Sequence, residues 1–87
     1  MEIEFDPAKD EANIRKHGMS LALAKDLEID TSQVLRDTRK DYGEDRRIAV
    51  GPVDGRLCVL AFTLRGGKVR AISLRRANPR ERKRFAP

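Results

Sequence analysis

The fold is decided by one stretch of sequence, Val53–Leu74, which is VDGRLCVLAFTLRGGKVRAISL. Within it, Leu57–Leu64 is nearly all apolar, which is typical of a central strand covered on both faces. Val69–Leu74 is a further predicted strand, with Arg70, Ile72 and Leu74 on one face and Val69, Ala71 and Ser73 on the other. Asp-Gly before the first strand and Gly-Gly between the two tolerate the positive φ angles of tight turns. The stretch therefore predicts two hairpins that share a central strand.

On the N-terminal side, shorter patterns predict a strand and two helices. Alternation in Met1–Phe5 indicates a short strand with one buried face. Asp6-Pro7 suits the start of a helix, and Gly18 suits its end. Leu21–Glu28 predicts a second helix, which the hydroxyl of Ser20 can cap.

The remaining segments complete an α+β fold. Gln33–Arg36 and Arg46–Val50 are predicted strands, and the polar segment 37–45 between them is a predicted loop. Asn78-Pro79, with Glu81 placed to reach back in a capping box, begins a short final helix. We expect an antiparallel β-sheet meander packed against the N-terminal helices and the C-terminal helix. A chain of 87 residues has the length of one domain, so we expect a single domain over residues 1–87.

The composition predicts a protein without a membrane span, an internal disulfide or a cofactor. No apolar run approaches the roughly 18 residues that a membrane helix needs. The first residues, MEIEFD, lack the basic and then apolar layout of a secretory signal. The chain has one cysteine and one histidine, which makes a metal site improbable. These features favour a cytoplasmic protein.

Positive charge is concentrated near the C-terminus. The formal net charge is +5 over the whole chain. Residues 65–87 carry nine basic side chains and one acid, whereas residues 1–64 are slightly acidic. A concentrated basic surface attracts a polyanion, which leaves RNA, DNA and an acidic protein as partners.

The arginines are the strongest candidates for chemistry. Guanidinium groups bind phosphate bidentately and stay charged at any relevant pH. Arg70 and Arg75 are five residues apart, so a regular strand places them on opposite faces, and a shared face requires a bend near Arg75. The open alternative is a solvated basic face whose arginines pair with neighbouring acids. The candidates are Arg46, Arg47, Arg65, Arg70 and Arg75.

Three other side chains have both a functional and a structural interpretation. His17, beside Lys16, ends the first helix, where the helix dipole favours the protonated form of the imidazole. This side chain could contact phosphate, donate a proton or only cap the helix. Glu81 could be a general base for a 2′-OH or only the capping-box acid. Cys58, inside the most apolar strand, is better explained as a buried small hydrophobe than as a nucleophile.

The sequence resembles the BrnT toxin family over almost its whole length. The segments that carry the resemblance are Phe5-Asp6-Pro7-Ala8-Lys9, Asn13, Lys16-His17-Gly18, Ser20, Gly43-Glu44-Asp45-Arg46, Gly51, Gly55-Arg56-Leu57, Phe62-Thr63, Arg65, Arg70, Ile72-Ser73, Leu74-Arg75, Ala77-Asn78, Arg80-Glu81 and Phe85. Many relatives have histidine where Cys58 stands.

The resemblance implies a RelE-like fold and a ribonuclease toxin of a bacterial type II toxin–antitoxin system. It implies RNA as substrate and a ribbon-helix-helix antitoxin like BrnA as partner in a hetero-oligomer, with promoter DNA bound only through the antitoxin. By position, it implies functional roles for Arg46, Arg65, Arg70 and Arg75, and weaker ones for Lys16, His17 and Glu81.

Together, the residues and the resemblance lead to the hypothesis of a metal-independent endoribonuclease. The RNA's own 2′-OH would attack the adjacent phosphate. The expected catalytic residues are Arg46, Arg70, Arg75 and Glu81, and the expected RNA-binding residues are Lys16, His17, Arg47 and Arg65. The alternative is a basic binding module that docks an antitoxin or a nucleic acid without cleaving it, which Cys58 in place of histidine keeps open. A DNA-binding regulator is less favoured, because no helix-turn-helix or ribbon pattern is evident.

Overall fold

The structure, a computed structural model, describes residues 2–27, 33–36 and 45–85. The predicted loop 37–45 lies outside these residues except for Asp45. The strands are β1 (Ile3–Glu4), β2 (Gln33–Arg36), β3 (Arg47–Val53), β4 (Arg56–Arg65) and β5 (Lys68–Arg76). The helices are α1 (Pro7–His17), a 3₁₀-helix (Leu21–Asp26) and α2 (Pro79–Phe85).

The strands form one five-stranded sheet in the order β1-β5-β4-β3-β2. Neighbouring strands from β2 to β5 pair antiparallel, so the predicted meander and the α+β class are confirmed. β1 adds a parallel edge, with Ile3 opposite Val69 and Glu4 opposite Arg70. The sheet is therefore mixed, because the last strand of the chain lies beside the first and runs parallel to it.

The second predicted helix is a 3₁₀-helix rather than an α-helix. Its hydrogen bonds join residues three apart, as from the amide of Leu27 to the carbonyl of Ala24 at 3.1 Å. The buried side chains Leu21, Ala24 and Leu27 recur at every third position, which matches three residues per turn. The Asp10 carboxylate accepts from the amide of Leu21 at 2.6 Å and thereby ties the start of this helix to α1.

Strand boundaries differ from the prediction at two places that matter for the site. β3 begins at Arg47 rather than Arg46 and continues to Val53. β5 continues to Arg76, so Arg75 lies inside the strand rather than beyond its end. β4 and β5 are joined by the predicted turn, whose Gly66 and Gly67 both have positive φ.

The two faces of the sheet are covered unequally. The face toward α1 and the 3₁₀-helix, here called the helix face, carries the larger core, with Leu60, Phe62 and Leu74 almost completely buried. On the other face, Val50 and Val59 form a smaller cluster with Ala77 and the half-buried Phe85, beneath α2.

Candidate functional site

A β-bulge places Arg70 and Arg75 on the same face of the sheet. Arg70 is opposite Thr63 and Arg75 is opposite Val59, and the ladder is irregular between Ala61 and Phe62. Ser73 pairs with Ala61 and Ala71 pairs with Phe62, so Ile72 is the extra residue. The bend that a shared face requires is a one-residue bulge at Ile72. We call this side of the sheet the arginine face; across β4 and β5 it consists of Val59, Ala61, Thr63, Arg70, Ser73 and Arg75.

Arg70 has a partner that sequence reasoning missed. The Nη1 atom of Arg70 lies 3.5 Å from Oε1 of Glu4, and each side chain is about one-third exposed. Glu4 reaches Arg70 because the two residues pair across the parallel β1–β5 ladder. The alternation in the first strand predicted that Glu4 faces away from the core, but nothing local to it indicated which strand it would join.

Arg75 is fixed by Glu81 from the start of α2. The two guanidinium nitrogens Nη1 and Nη2 donate to Oε1 and Oε2 of Glu81 at 2.7 and 2.9 Å. Glu81 also accepts from the amide of Asn78 at 2.9 Å, and Oδ1 of Asn78 accepts from the amide of Glu81 at 2.8 Å. The predicted capping box is thus present, and the same carboxylate orients Arg75.

A buried asparagine holds α1 against the edge of β5. Asn13 is 5% exposed, and its Nδ2 donates to the carbonyls of Met19 and Leu74, both at 2.8 Å. The amide of Leu74 donates back to Oδ1 of Asn13 at 3.1 Å. The side-chain amide thus pairs with the strand as a neighbouring backbone would, beyond the point where β1 ends. One turn further along α1 come Lys16 and His17, which this contact sets beside Arg75.

The result is a cleft of about 410 Å³ between α1 and β5, lined by residues of both elements. Its walls include Lys16 and His17 from the helix and Ser73 and Arg75 from the strand. Burial lowers the pKa of His17, and the positive charges of Lys16 and Arg75 lower it further. The helix dipole favours the protonated form of His17, whereas burial and the two cations favour the neutral form. The imidazole is mainly neutral at pH 7.

The other predicted arginines lie apart from this cleft. Arg46 directly precedes β3, and extending the β3–β4 register places it opposite Thr63, on the arginine face. Arg65 ends β4 beside the turn and shares that face by alternation. Arg47 pairs with Phe62, so it belongs to the helix face, where its Nη2 lies 3.3 Å from Oδ2 of Asp45.

Cys58 lies on the opposite face from Arg75. It is 1% exposed within the larger core, and burial raises the pKa of its thiol. The interpretation as a buried small hydrophobe is confirmed. Because the adjacent Val59 is the residue opposite Arg75, a side chain at position 58 points to the helix face. The departure from histidine at this position therefore removes no group from the arginine face.

The described residues contain neither a metal-binding cluster nor a membrane-spanning helix. Across 2–27, 33–36 and 45–85, no three His, Cys, Asp or Glu side chains come together as ligands for a metal ion. No helix in those same ranges has the length and apolar character to cross a membrane.

Fixed guanidinium groups on one sheet face, with an imidazole at its edge, are chemically suited to binding phosphate groups. The family model described as "Ribonuclease toxin, BrnT, of type II toxin-antitoxin system" matches residues 5–81. The chain therefore belongs to the BrnT family of ribonuclease toxins, as the resemblance predicted. Membership implies an antitoxin partner and an RNA substrate.

A solved structure supports the same assignment. The chain is similar to the Brucella abortus ribonuclease toxin BrnT, whose crystal structure is at 1.1 Å resolution. The two are 28% identical with a TM-score of 0.71, and the match covers 90% of this chain and 97% of that one. No curated protein matches the chain significantly.

Proposed function

We propose that the chain cleaves RNA on its arginine face without a metal ion, by attack of the RNA's own 2′-OH on the adjacent phosphate. The observation that carries the proposal is the placement of Arg75. The bulge at Ile72 sets it on the same face as Arg70, and Glu81 holds it beside the neutral imidazole of His17. Positive charge fixed before the reaction stabilises the charge that develops on the phosphate oxygens.

The arginines serve different phosphates of one RNA strand. Arg70 and Arg75 are separated by four paired positions, which is about 13 Å along a strand. That spacing suits two separate phosphates of one strand better than a single phosphate. We assign the scissile phosphate to Arg75, with Lys16 beside it, and the flanking backbone to Arg46, Arg65 and Arg70.

His17 is the proposed general base. A neutral imidazole can accept the 2′-OH proton as the 2′-oxygen bonds to phosphorus and the 5′-oxygen departs, taking a proton from solvent. Glu81 is less suited to that role, because its carboxylate oxygens accept from Arg75 and from the amide of Asn78. We therefore assign Glu81 to positioning Arg75. Arg47, on the helix face, stays a predicted contact for RNA that extends past the sheet.

We further propose that the partner is a ribbon-helix-helix antitoxin in a hetero-oligomer. Through that antitoxin the complex would bind promoter DNA, and it would act in the bacterial cytoplasm. The support is the type II toxin–antitoxin class of the family.

The test compares two adjacent arginines. Arg75→Ala should lower kcat/KM for cleavage of an RNA oligonucleotide by about 100-fold or more, because transition-state stabilisation is lost. The matched control is Arg76→Ala, which removes an exposed arginine opposite Cys58 on the helix face; it should change cleavage by less than about twofold. Equal losses in the two variants would overturn the assignment to the arginine face.

Two further measurements test the mechanism and the toxin activity. Cleavage by purified protein should be unaffected by excess chelator, and activity that returns only with added metal would refute the metal-free route. Induced expression should arrest growth, and the double variant Arg70→Ala, Arg75→Ala should not. A wild type that neither cleaves RNA nor arrests growth would favour the non-catalytic binding module.

A further inference from the structure

A second concave surface lies at the opposite edge of the sheet from the α1–β5 cleft. It is a groove of about 290 Å³ between α2 and the strands β2 and β3. Its floor is apolar and consists of Leu35, Ile48, Val50 and Phe85. We call it the α2 groove. None of its lining residues belongs to the proposed catalytic set except Glu81, which sits at its end.

The floor continues into an exposed apolar edge. Leu35 of β2 pairs with Ile48 of the floor and is 39% exposed. β2 is the last strand at this side of the described sheet. An exposed apolar side chain at the mouth of an apolar groove is typical of a surface that another molecule covers.

The rim of the α2 groove is basic. Arg80 and Arg84 line it one helical turn apart, and both side chains are exposed. Within the part of the chain that the structure describes, neither forms an ion pair. The guanidinium of Arg84 stands over the ring of Phe85, 5.0 Å from its centroid. Glu81 is the only acid of α2, and its carboxylate is bound to Arg75.

We propose that the α2 groove docks an acidic segment of the antitoxin. A large apolar side chain of that segment would rest on the floor, and its carboxylates would pair with Arg80 and Arg84. The inference rests on the proposed function, because it takes its partner from the toxin–antitoxin assignment. Since Glu81 both ends the groove and holds Arg75, a segment bound there lies beside the proposed catalytic arginine and obstructs the approach of RNA.

The chemistry of the groove favours a protein over RNA as the occupant. Single-stranded RNA binds to basic surfaces that also offer aromatic rings for base stacking. Among the residues lining this groove the single ring is that of Phe85, which is half-buried and already covered by Arg84. An aliphatic floor beneath a cationic rim complements an acidic amphipathic segment instead.

The experiment measures antitoxin affinity with matched variants. The probe is the full-length antitoxin, identified as the product of the neighbouring gene that restores growth when it is expressed with the toxin. The rim variant is Arg80→Ser, Arg84→Ser, and its control Lys25→Ser, Lys83→Ser removes two exposed charges outside the groove. The floor variant is Leu35→Ser, and its control is Leu64→Ser, at an apolar residue that is 45% exposed outside the groove.

We expect the rim variant to raise Kd about tenfold at about 0.1 M salt, mainly through slower association, and less at higher salt. Leu35→Ser should raise Kd about tenfold through faster dissociation. Both controls should stay within about twofold, and all four free proteins should cleave RNA at the wild-type rate. Circular dichroism would establish that each variant is folded.

The outcomes separate this inference from the proposed function. Unchanged antitoxin affinity in both groove variants would overturn it. Slower RNA cleavage by the rim variant at unchanged antitoxin affinity would assign the groove to RNA and would overturn it too. An inactive wild type, in contrast, is a failure of the proposed function, and is seen in the cleavage assay rather than in Kd.

Discussion

The two faces of the sheet are built from the same strands but have different tasks. On β4 and β5, apart from the bulge at Ile72, each residue of the helix face alternates with one of the arginine face, so Cys58 is next to Val59 and Arg76 is next to Arg75. The helix face excludes water over most of its length, whereas the arginine face is covered by α2 only around Val50 and Val59. Within β4 and β5 the face, rather than the neighbourhood in sequence, decides whether a side chain packs in the larger core or belongs to the proposed RNA-binding surface.

Two contacts tie the faces together. Asn13 bonds the helix that packs on one face to the strand that carries the arginines of the other. Glu81 joins the cap of α2 to Arg75. The division of tasks is therefore incomplete, and the predictions below test how far it holds.

The largest expected effect is on stability and belongs to the helix face. Phe62→Ala should lower the free energy of unfolding by about 3–5 kcal/mol, since it leaves a cavity among completely buried neighbours. Val59→Ala, on the other face of the same strand, should cost only about 1–2 kcal/mol, because it loses less apolar surface in a smaller cluster. Urea denaturation measures both. Equal losses would show that the two cores are energetically equivalent.

A smaller effect is expected where the faces are joined. Asn13→Ala leaves the Leu74 amide and two carbonyls without their partner, so it should cost about 2 kcal/mol of stability. It should also slow RNA cleavage by the folded fraction, because Lys16 and His17 are no longer held beside Arg75. The comparison variant Asn78→Ala loses an exposed helix cap and should cost about 1 kcal/mol. If Asn13→Ala leaves the cleavage rate per folded molecule unchanged, its role is structural alone.

The elements with local signals could be predicted from the sequence. Asp-Gly and Gly-Gly marked both hairpins, and Asp6, Gly18 and Asn78 marked helix ends that the structure has. The 3₁₀-helix was predicted in place but as an α-helix. Its apolar residues at every third position were the available clue, and an interpretation based on 3.6 residues per turn overlooks it.

The structural features that could not be predicted from the sequence depend on contacts between distant segments of the chain. The pairing of Glu4 with Arg70 joins the two ends of the chain, and no local pattern encodes it. The bulge at Ile72 is decided by how β5 packs against β4. Asn13 had one weak signal, namely a residue of low helix propensity within a helix. The pKa of His17 depends on Arg75, which the fold brings to it.

The smallest expected effect concerns pH and the cleft between the faces. Because the pKa of His17 in the folded protein lies below its ordinary value of 6.5, the unfolded chain binds this proton more readily. The stabilising contribution of the neutral imidazole is therefore complete above pH 6.5 and is lost as the pH falls from 6.5 through the lower folded pKa. The wild type should lose more unfolding free energy than His17→Gln between about pH 7.5 and about pH 5.5.

The rate of RNA cleavage by the wild type should also fall over this pH interval, because the proposed base becomes protonated. His17→Gln lacks a titrating group at this position and should keep a low and nearly constant rate. Equal losses of stability in both proteins would show that burial and the charges of Lys16 and Arg75 do not act on His17, and a cleavage profile shared by both would remove it as the base.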